Sequence, residues 1–168
     1  MTQNFEVELR QRIDETFKRH PRLPDHREMF PWVTGFLGDP SSPVWFVAEN
    51  PSLGQVERAS GLPALRSPES QWAAVSRGDL LFREMLVEHG FKVGDALEAG
   101  GWRCYITDVI KSVHRAEAWN REPAAVRWGV AEAWASVFAW ELATGNPRSS
   151  FRSARRFTAF SMSSTQEG

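Results

Sequence analysis

The stretch V-W-F-V-A-E-N-P-S, residues 44–52, joins a short apolar run to a carboxylate, an amide and a proline. Residues 44–47 are β-branched or aromatic and follow S-S-P, which is typical of a buried strand. Glu49 and Asn50 come directly after this predicted strand. Because Asn before Pro is common in turns, one interpretation of the pair is a turn or a cap. The other is a site in which a rigid strand holds the carboxylate or the amide against a water molecule.

A second predicted strand carries a charged group near its end. Residues 104–110, C-Y-I-T-D-V-I, are mostly apolar, and a carboxylate such as Asp108 is rarely left in such a strand unless it is paired or used. Lys111 is either its ion-pair partner or a group that holds a phosphate while Asp108 accepts hydrogen bonds from a ligand. Ligands of parallel α/β sheets bind outside the carboxyl ends of the strands. We therefore expect the polar residues after both strands to face one crevice.

Apolar periodicity and end signals predict three helices, at residues 5–19, 79–89 and 123–143. Between these elements, residues 29–43 are predicted to be irregular and residues 51–71 to form a long polar loop. The order of helix, strand, loop, helix, strand, loop and helix is typical of an α/β fold with a parallel sheet.

Composition excludes several classes of protein. The 168 residues have the usual size of one domain, and a net charge of −1 provides no overall attraction for nucleic acid or membrane. DNA binding would therefore need a local basic patch. The single cysteine, Cys104, excludes an internal disulfide and a cysteine-rich metal or iron–sulfur site, and it fits a cytoplasmic protein. No apolar run is long enough to span a membrane, and the N-terminus lacks a signal-peptide layout.

The histidines and the C-terminal segment add two expectations. The four histidines show no metal-ligand spacing, and only His114, which follows the second strand, is a candidate for the site. Residues 149–168 have neither a helix nor a strand period and are expected to form an irregular, disordered tail. An α/β chain would continue there into another strand, so we expect that its C-terminus was lost by truncation or frameshift. The alternative is a basic tail that touches phosphates.

Four motifs, in order, resemble the uracil-DNA glycosylase superfamily, specifically its bacterial uracil-DNA glycosylase-like branch. A-E-N-P-S at 48–52 is similar to the family's strand end Gly-Glu-Ala-Pro-Gly or Gly-x-Asn-Pro-Gly. S-R-G-D-L-L-F-R-E-M-L-V-E-H-G at 76–90 is similar to R-A-G-x-L-L-x-x-M-L-x-x-x-G. Y-I-T-D-V-I-K at 105–111 is similar to Y-I-T-N-V-V-K, and N-R-E-P at 120–123 to N-R-x-P. The resemblance covers residues 28–148.

The resemblance implies a three-layer α/β/α fold around a central parallel sheet, with the region of the last strand incomplete. It implies one domain of residues 1–148, in which the helix at 5–19 precedes the core. The implied activity is base excision repair: a damaged nucleotide is extruded from DNA, and the N-glycosidic bond of uracil or another deaminated base is hydrolysed. The transition state resembles an oxocarbenium ion, so a nearby carboxylate or amide is expected to orient water and stabilise positive charge.

By the same resemblance, Asn50 and Glu49 are the expected catalytic residues. Asp108 and Trp72 are expected to bind the base, and Lys111, Ser112 and Ser52 to bind phosphate. No cofactor or metal is expected, and Ser112 stands where iron–sulfur members of the family carry a cysteine. The implied partner is DNA containing uracil or a deaminated base, bound by a monomer that does not associate with membranes.

Two departures from the family bear on substrate and activity. Asp108 stands where the family has an Asn, and an ionised carboxylate would meet uracil O4 with a lone pair. Such a mismatch costs about 1–3 kcal/mol, so a base with an exocyclic amino group would suit an ionised Asp108 better. The family's last motif, His-Pro-Ser or similar, binds DNA phosphate and the charge that develops on the base, and residues 149–168 contain neither His nor Pro. The expected activity is therefore weak or lost. The alternatives are a non-catalytic remnant that binds nucleic acid or protein, and a different α/β enzyme that shares only this plan.

Overall fold

The computed structural model describes residues 2–30, 35–60 and 77–145 of the chain. These ranges contain five helices and three strands, in the order α1 (Thr2–Arg19), β1 (Phe36–Gly38), β2 (Trp45–Ala48), α2 (Leu53–Ser60), α3 (Arg77–Glu88), β3 (Tyr105–Asp108), α4 (Ala116–Trp119) and α5 (Ala124–Gly145). The protein therefore belongs to the mixed α/β class. Trp72 and the predicted tail at residues 149–168 lie outside the described residues.

The three predicted helices and the two predicted strands are confirmed, with their ends shifted by a few residues. Two other predictions are wrong. The segment 29–43, predicted to be irregular, contains β1, which has only three residues and too little apolar pattern to be recognised from sequence. The segment 51–71, predicted to be a loop, contains α2. Val56 of α2 is buried and packs with Phe30 and Val113. This tertiary contact stabilises a helix whose polar sequence gives no clear helical signal.

The sheet is mixed, which corrects the expected parallel sheet. Its strand order is β1-β3-β2. β2 and β3 are parallel, with Ala48 opposite Asp108, whereas β1 is antiparallel to β3, with Phe36 opposite Thr107. The parallel pair is the part that the α/β pattern predicts. The antiparallel edge strand β1 depends on pairing with residues about 70 positions later in the chain. The sequence around β1 cannot predict this pairing.

Helices α1 and α5 pack against one face of the sheet. The buried side chains of this cluster are Phe5, Leu9, Ile13, Phe17, Phe36, Tyr105, Ile110, Trp119, Trp134 and Val137. The first four repeat every fourth residue along α1, which places them on one side of the helix. Because burying a large apolar side chain contributes about 1.5–3 kcal/mol, this side of α1 accounts for its attachment to the sheet.

Side chains of α3 pack against residues on the opposite face of the sheet. The four buried residues of this second cluster are Leu37, Leu86, Cys104 and Ile106. Several partly buried aromatic side chains pack against them. Since side chains alternate along a strand, Asp108 shares the face of Ile106, and Thr107 shares the face of Tyr105. Within the described ranges, no helix is both long enough and apolar enough to cross a membrane.

Candidate active site at the ends of two parallel strands

The structure brings the residues that end the two parallel strands together. The backbone N–H of Val109 donates to the carbonyl of Ala48 at 3.0 Å, and that of Ile110 donates to the carbonyl of Glu49 at 2.9 Å. The pairing thus continues past the strand ends and holds Glu49 beside the residues that follow Asp108. The polar residues that follow the two parallel strands therefore lie at neighbouring positions along one edge of the sheet.

Asn50 is half-buried and is held by its own neighbour. Its Nδ2 donates to the carbonyl of Pro51 at 3.1 Å. This contact restricts rotation of the amide and directs one N–H into the backbone. The carbonyl oxygen Oδ1 is left to accept a hydrogen bond, because the two ends of an amide have opposite roles. Asn50 can therefore act as an acceptor through Oδ1 while its Nδ2 is held by the backbone.

Glu49 is exposed, but one of its oxygens is fixed. Oε1 accepts a hydrogen bond from the indole Nε1 of Trp119 at 2.9 Å. Nη1 of Arg127 lies 4.0 Å from the same oxygen, at a distance that adds a weak, partly solvated attraction. Since Trp119 is buried, it holds the carboxylate in one orientation while Oε2 remains turned to solvent or to a ligand.

Asp108 is buried without a partner. Its side chain is 1% exposed, and neither carboxyl oxygen has a hydrogen-bond partner in the structure that is described. Burial raises the pKa of Asp108 to about 8, with a lowering contribution from Lys111 and a raising one from Glu141. At neutral pH the side chain is therefore mostly a carboxylic acid. This environment disfavours the ionised carboxylate, the form that would prefer a base with an exocyclic amino group.

Lys111 is paired with a residue that sequence reasoning did not connect to it. Its Nζ lies 2.8 Å from Oε2 of Glu141, and both side chains are 0% exposed. The geometry makes this contact an ion pair rather than an aligned hydrogen bond, since Oε2 has no hydrogen-bond partner. Nζ also donates to the hydroxyl of Thr107 at 2.6 Å and to the carbonyl of Gly35 at 3.1 Å. This placement leaves the ammonium group no exposed surface to offer a phosphate.

Glu141 completes a buried polar network. Its Oε1 accepts hydrogen bonds from the hydroxyls of Tyr105 and Thr107, each at 2.8 Å. The carboxylate thus has two donors on one oxygen and a cation on the other, which is how buried charges are usually satisfied. Tyr105 and Thr107 both lie on β3. The network therefore joins helix α5 to the central strand on the sheet face opposite Asp108.

Ser112 and His114 form a second polar pair behind the strand ends. Nε1 of Trp134 donates to Oγ of Ser112 at 3.2 Å, and Oγ lies 2.8 Å from Nε2 of His114. Ser112 is 0% exposed, and Nε2 of His114 and Nε1 of Trp134 are the hydrogen-bond partners of its hydroxyl within the described residues. The same contacts turn Ser112 inward, away from any phosphate.

Backbone pairing brings His114 next to Ser52. The two residues form an isolated parallel bridge, with the N–H of Leu53 donating to the carbonyl of His114 at 2.9 Å. Ser52 is partly exposed and directly precedes α2, whose first turn bonds to its carbonyl. Of the three predicted phosphate contacts, Ser52 is thus the one that the structure leaves partly exposed beside Asn50.

His114 is expected to make stability decrease in mild acid. Burial, with help from His26, lowers its pKa to about 4, against a raising contribution from Glu49. Between pH 6.5 and 4 the unfolded chain binds a proton that the folded protein does not, so stability falls as pH falls through this window. Because His114 is partly exposed and solvent screens its charge, the wild type should lose only about 2–4 °C of Tm more than His114→Gln between pH 7 and pH 5. Equal losses, measured by thermal unfolding, would contradict this assignment.

The described residues contain no group of three or more His, Cys, Asp or Glu side chains that could hold a metal ion. Cys104 is free and buried in the second cluster, where burial raises the pKa of its thiol to about 12. A thiol in this environment remains protonated and unreactive near neutral pH.

Three residues near the strand ends were missed by sequence reasoning: Trp119, Arg127 and Glu141. Trp119 belongs to a four-residue helix with no pattern that could mark it. Glu141 interrupts the apolar side of α5, and a charge at a position with core periodicity could have signalled a buried ion pair. Arg127 is one of three charged residues of α5, with Glu132 and Glu141, and nothing in the sequence singles it out.

Comparison with protein-family models, with curated proteins and with solved structures found no match to this chain.

Proposed function

We propose that this protein is a DNA glycosylase of the uracil-DNA glycosylase type, which hydrolyses the N-glycosidic bond of uracil or another deaminated base in DNA. The observation that carries the proposal is the register of the parallel strands, in which Asp108 lies opposite Ala48. In this register the segment that carries Glu49 and Asn50 follows β2 next to the end of β3, where Asp108 is the buried group that we assign to reading a base. Packing of helices against both faces of the sheet supports the three-layer fold expected for the family.

In this proposal Asn50 positions the attacking water. Its Nδ2 donates to the carbonyl of Pro51, so Oδ1 is the atom that accepts a hydrogen bond from the water. A water held by one acceptor at a fixed distance from the sugar loses less entropy on reaching the transition state. The half-buried position of Asn50 also limits competition from bulk solvent.

Glu49 stabilises the positive charge that develops on the sugar. The hydrogen bond from Trp119 fixes Oε1, which leaves Oε2 to face the oxocarbenium-like transition state or to accept the proton released by the water. Because both Glu49 and Asn50 follow the same strand, their separation is set by the backbone. The pair supplies the two groups that hydrolysis of a glycosidic bond requires, an acceptor for water and a negative charge.

The phosphate contacts that we propose differ from those expected from the sequence. Lys111 and Ser112 are buried and bonded to protein groups, whereas Arg127 is a partly exposed cation beside Glu49. We assign Arg127, together with Ser52, to the DNA backbone. Because residues 149–168 carry no His-Pro-Ser motif, leaving-group stabilisation is reduced and the expected rate is low.

The test is an abasic-site assay with the full chain in excess over DNA. Labelled single- and double-stranded oligonucleotides would carry one uracil, hypoxanthine or xanthine, and matched strands with thymine, adenine or guanine would serve as controls. Alkali cleaves each abasic product, so strand scission reports base removal. Product from at least one deaminated base, and none from the controls, is expected. Absence of product from every strand would refute catalysis, and salt-dependent binding of the same strands would then favour a non-catalytic module.

Asn50→Ala and Glu49→Gln should each lower the single-turnover rate of base removal at least about a hundredfold, since positioned acid–base groups contribute about 10²–10⁴-fold. Both side chains are partly or largely exposed, so we expect little change in Tm. Glu132→Gln, an exposed carboxylate on α5, is the matched control and should retain the wild-type rate. Variants that cleave uracil DNA within threefold of the wild type would remove both residues from the mechanism.

A further inference from the structure

We propose that Asp108 binds the base as a neutral carboxylic acid, using its C=O and O–H together as an acceptor–donor pair for adjacent N–H and C=O groups. This inference rests on the proposed function, because it names the class of base that the same site takes. It assigns the site to bases whose edge presents adjacent N–H and C=O groups, as those of uracil and hypoxanthine do, and makes their binding depend on pH.

The geometry around Asp108 requires a neutral group. Both carboxyl oxygens are buried and have no hydrogen-bond donor within the described residues. A buried carboxylate in that state would have lost its hydration without any replacement, which is far more costly than burying the acid. The empty hydrogen-bonding capacity also indicates a ligand, since buried polar groups without partners are rare in folded proteins.

Neighbouring charges do not restore the ionised form. Two charged groups act on Asp108, namely Lys111 after β3 and Glu141 on α5, and they form an ion pair with each other. Ala48 of β2 lies opposite Asp108, and the carbonyl of Gly35, next to β1, accepts the Asp108 backbone N–H at 2.8 Å. The pKa of about 8 agrees with this surrounding.

A carboxylic acid recognises different ligands from a carboxylate. The acid offers one donor and one acceptor, as an amide does, whereas the ionised group offers acceptors alone. Uracil presents N3–H beside O4, and hypoxanthine presents N1–H beside O6, so each can form two hydrogen bonds with the acid. Ionisation of Asp108 leaves one of these bonds without its proton. The replacement of Asn by Asp therefore preserves recognition of a deaminated base below the pKa and removes it above.

The test measures binding rather than catalysis. The probe is an oligonucleotide with one 2′-fluoro-2′-deoxyuridine, because fluorine destabilises an oxocarbenium-like transition state and leaves the base attached. Its affinity for the full chain would be measured from pH 6 to pH 10. Wild-type affinity should fall about tenfold per pH unit above pH 8, in proportion to the protonated fraction. Asp108→Asn keeps the donor and acceptor and cannot ionise, so it should show only the loss caused by ionisation of uracil itself.

A second measurement tests the protonation state directly. The carboxyl ¹³C resonance of Asp108, assigned by its absence from Asp108→Asn, should titrate near pH 8 in the free protein. Titration near pH 4 would overturn the proposal. Equal pH profiles for the wild type and Asp108→Asn would also overturn it. The same holds if the wild type, at pH 6–7, binds the probe no more tightly than a matched strand with an abasic site in place of the modified uridine. A pH-dependent loss of binding without base removal would support this inference while refuting the proposed hydrolysis, so the two can fail separately.

Discussion

Glu141→Gln is expected to lower the free energy of unfolding by about 3–5 kcal/mol, the usual cost of removing one partner from a buried ion pair. The ammonium of Lys111 would remain in an environment where its side chain is 0% exposed, without its counter-charge. Glutamine keeps an oxygen that can accept hydrogen bonds from the hydroxyls of Tyr105 and Thr107. The loss therefore reports the charge rather than the hydrogen bonds.

Urea unfolding followed by tryptophan fluorescence measures this effect. Glu132→Gln makes the same chemical change on an exposed part of α5 and should alter stability by no more than about 0.5 kcal/mol. The double variant Lys111→Met with Glu141→Gln removes both charges and should be about 1–3 kcal/mol more stable than Glu141→Gln alone. If Glu141→Gln costs less than 1 kcal/mol, the ion pair does not have the role that we give it.

Asp108→Asn is expected to change how stability depends on pH. The pKa of Asp108 is about 8 in the folded protein, against 3.8 for an ordinary Asp. Between these values the folded protein holds a proton that the unfolded chain has released. The free energy of unfolding therefore falls as pH rises, by up to about 1.4 kcal/mol per pH unit. Asparagine cannot ionise, so this contribution to the slope disappears in the variant.

Comparing the wild type with Asp108→Asn isolates the contribution of Asp108 to the pH dependence of stability, since every other group titrates in both proteins. At pH 4–5 the variant should be within about 1.5 kcal/mol of the wild type, because amide and acid have similar shape and polarity. At pH 9 it should be at least about 3 kcal/mol more stable. Denaturant unfolding at intervals of one pH unit provides the measurement. Parallel curves for the two proteins over the whole range would mean that Asp108 ionises normally.

The elements predicted correctly share one property: their signal is local. In α1, Phe5, Leu9, Ile13 and Phe17 recur at helical spacing, and this spacing alone marks the buried side. The two parallel strands are short apolar runs with polar residues at their ends. Strand β1 and helix α2 lack such a signal. They form because distant residues, β3 in one case and the Phe30–Val113 cluster in the other, supply their partners.

The candidate site divides in the same way. Glu49 and Asn50 stand out in the sequence because they directly follow an apolar run, and Asp108 because it is a charged group within one. The sequence pattern also predicts that they lie at one edge, since parallel strands end on the same side of a sheet. The role of Lys111 is different. Its neighbour in sequence, Asp108, is on the other face of the strand, and its actual partner is Glu141, thirty residues later.

By itself, then, the amino-acid sequence determined the main helices, the two parallel strands and the polar residues at their ends, because these depend on side chains a few positions apart. Only the tertiary structure decided the direction of the edge strand, the partner of Lys111 and the burial of Asp108 without a hydrogen-bond partner among the described residues. Strand pairing, ion pairing and desolvation depend on residues that are far apart in the chain and meet only in the folded protein.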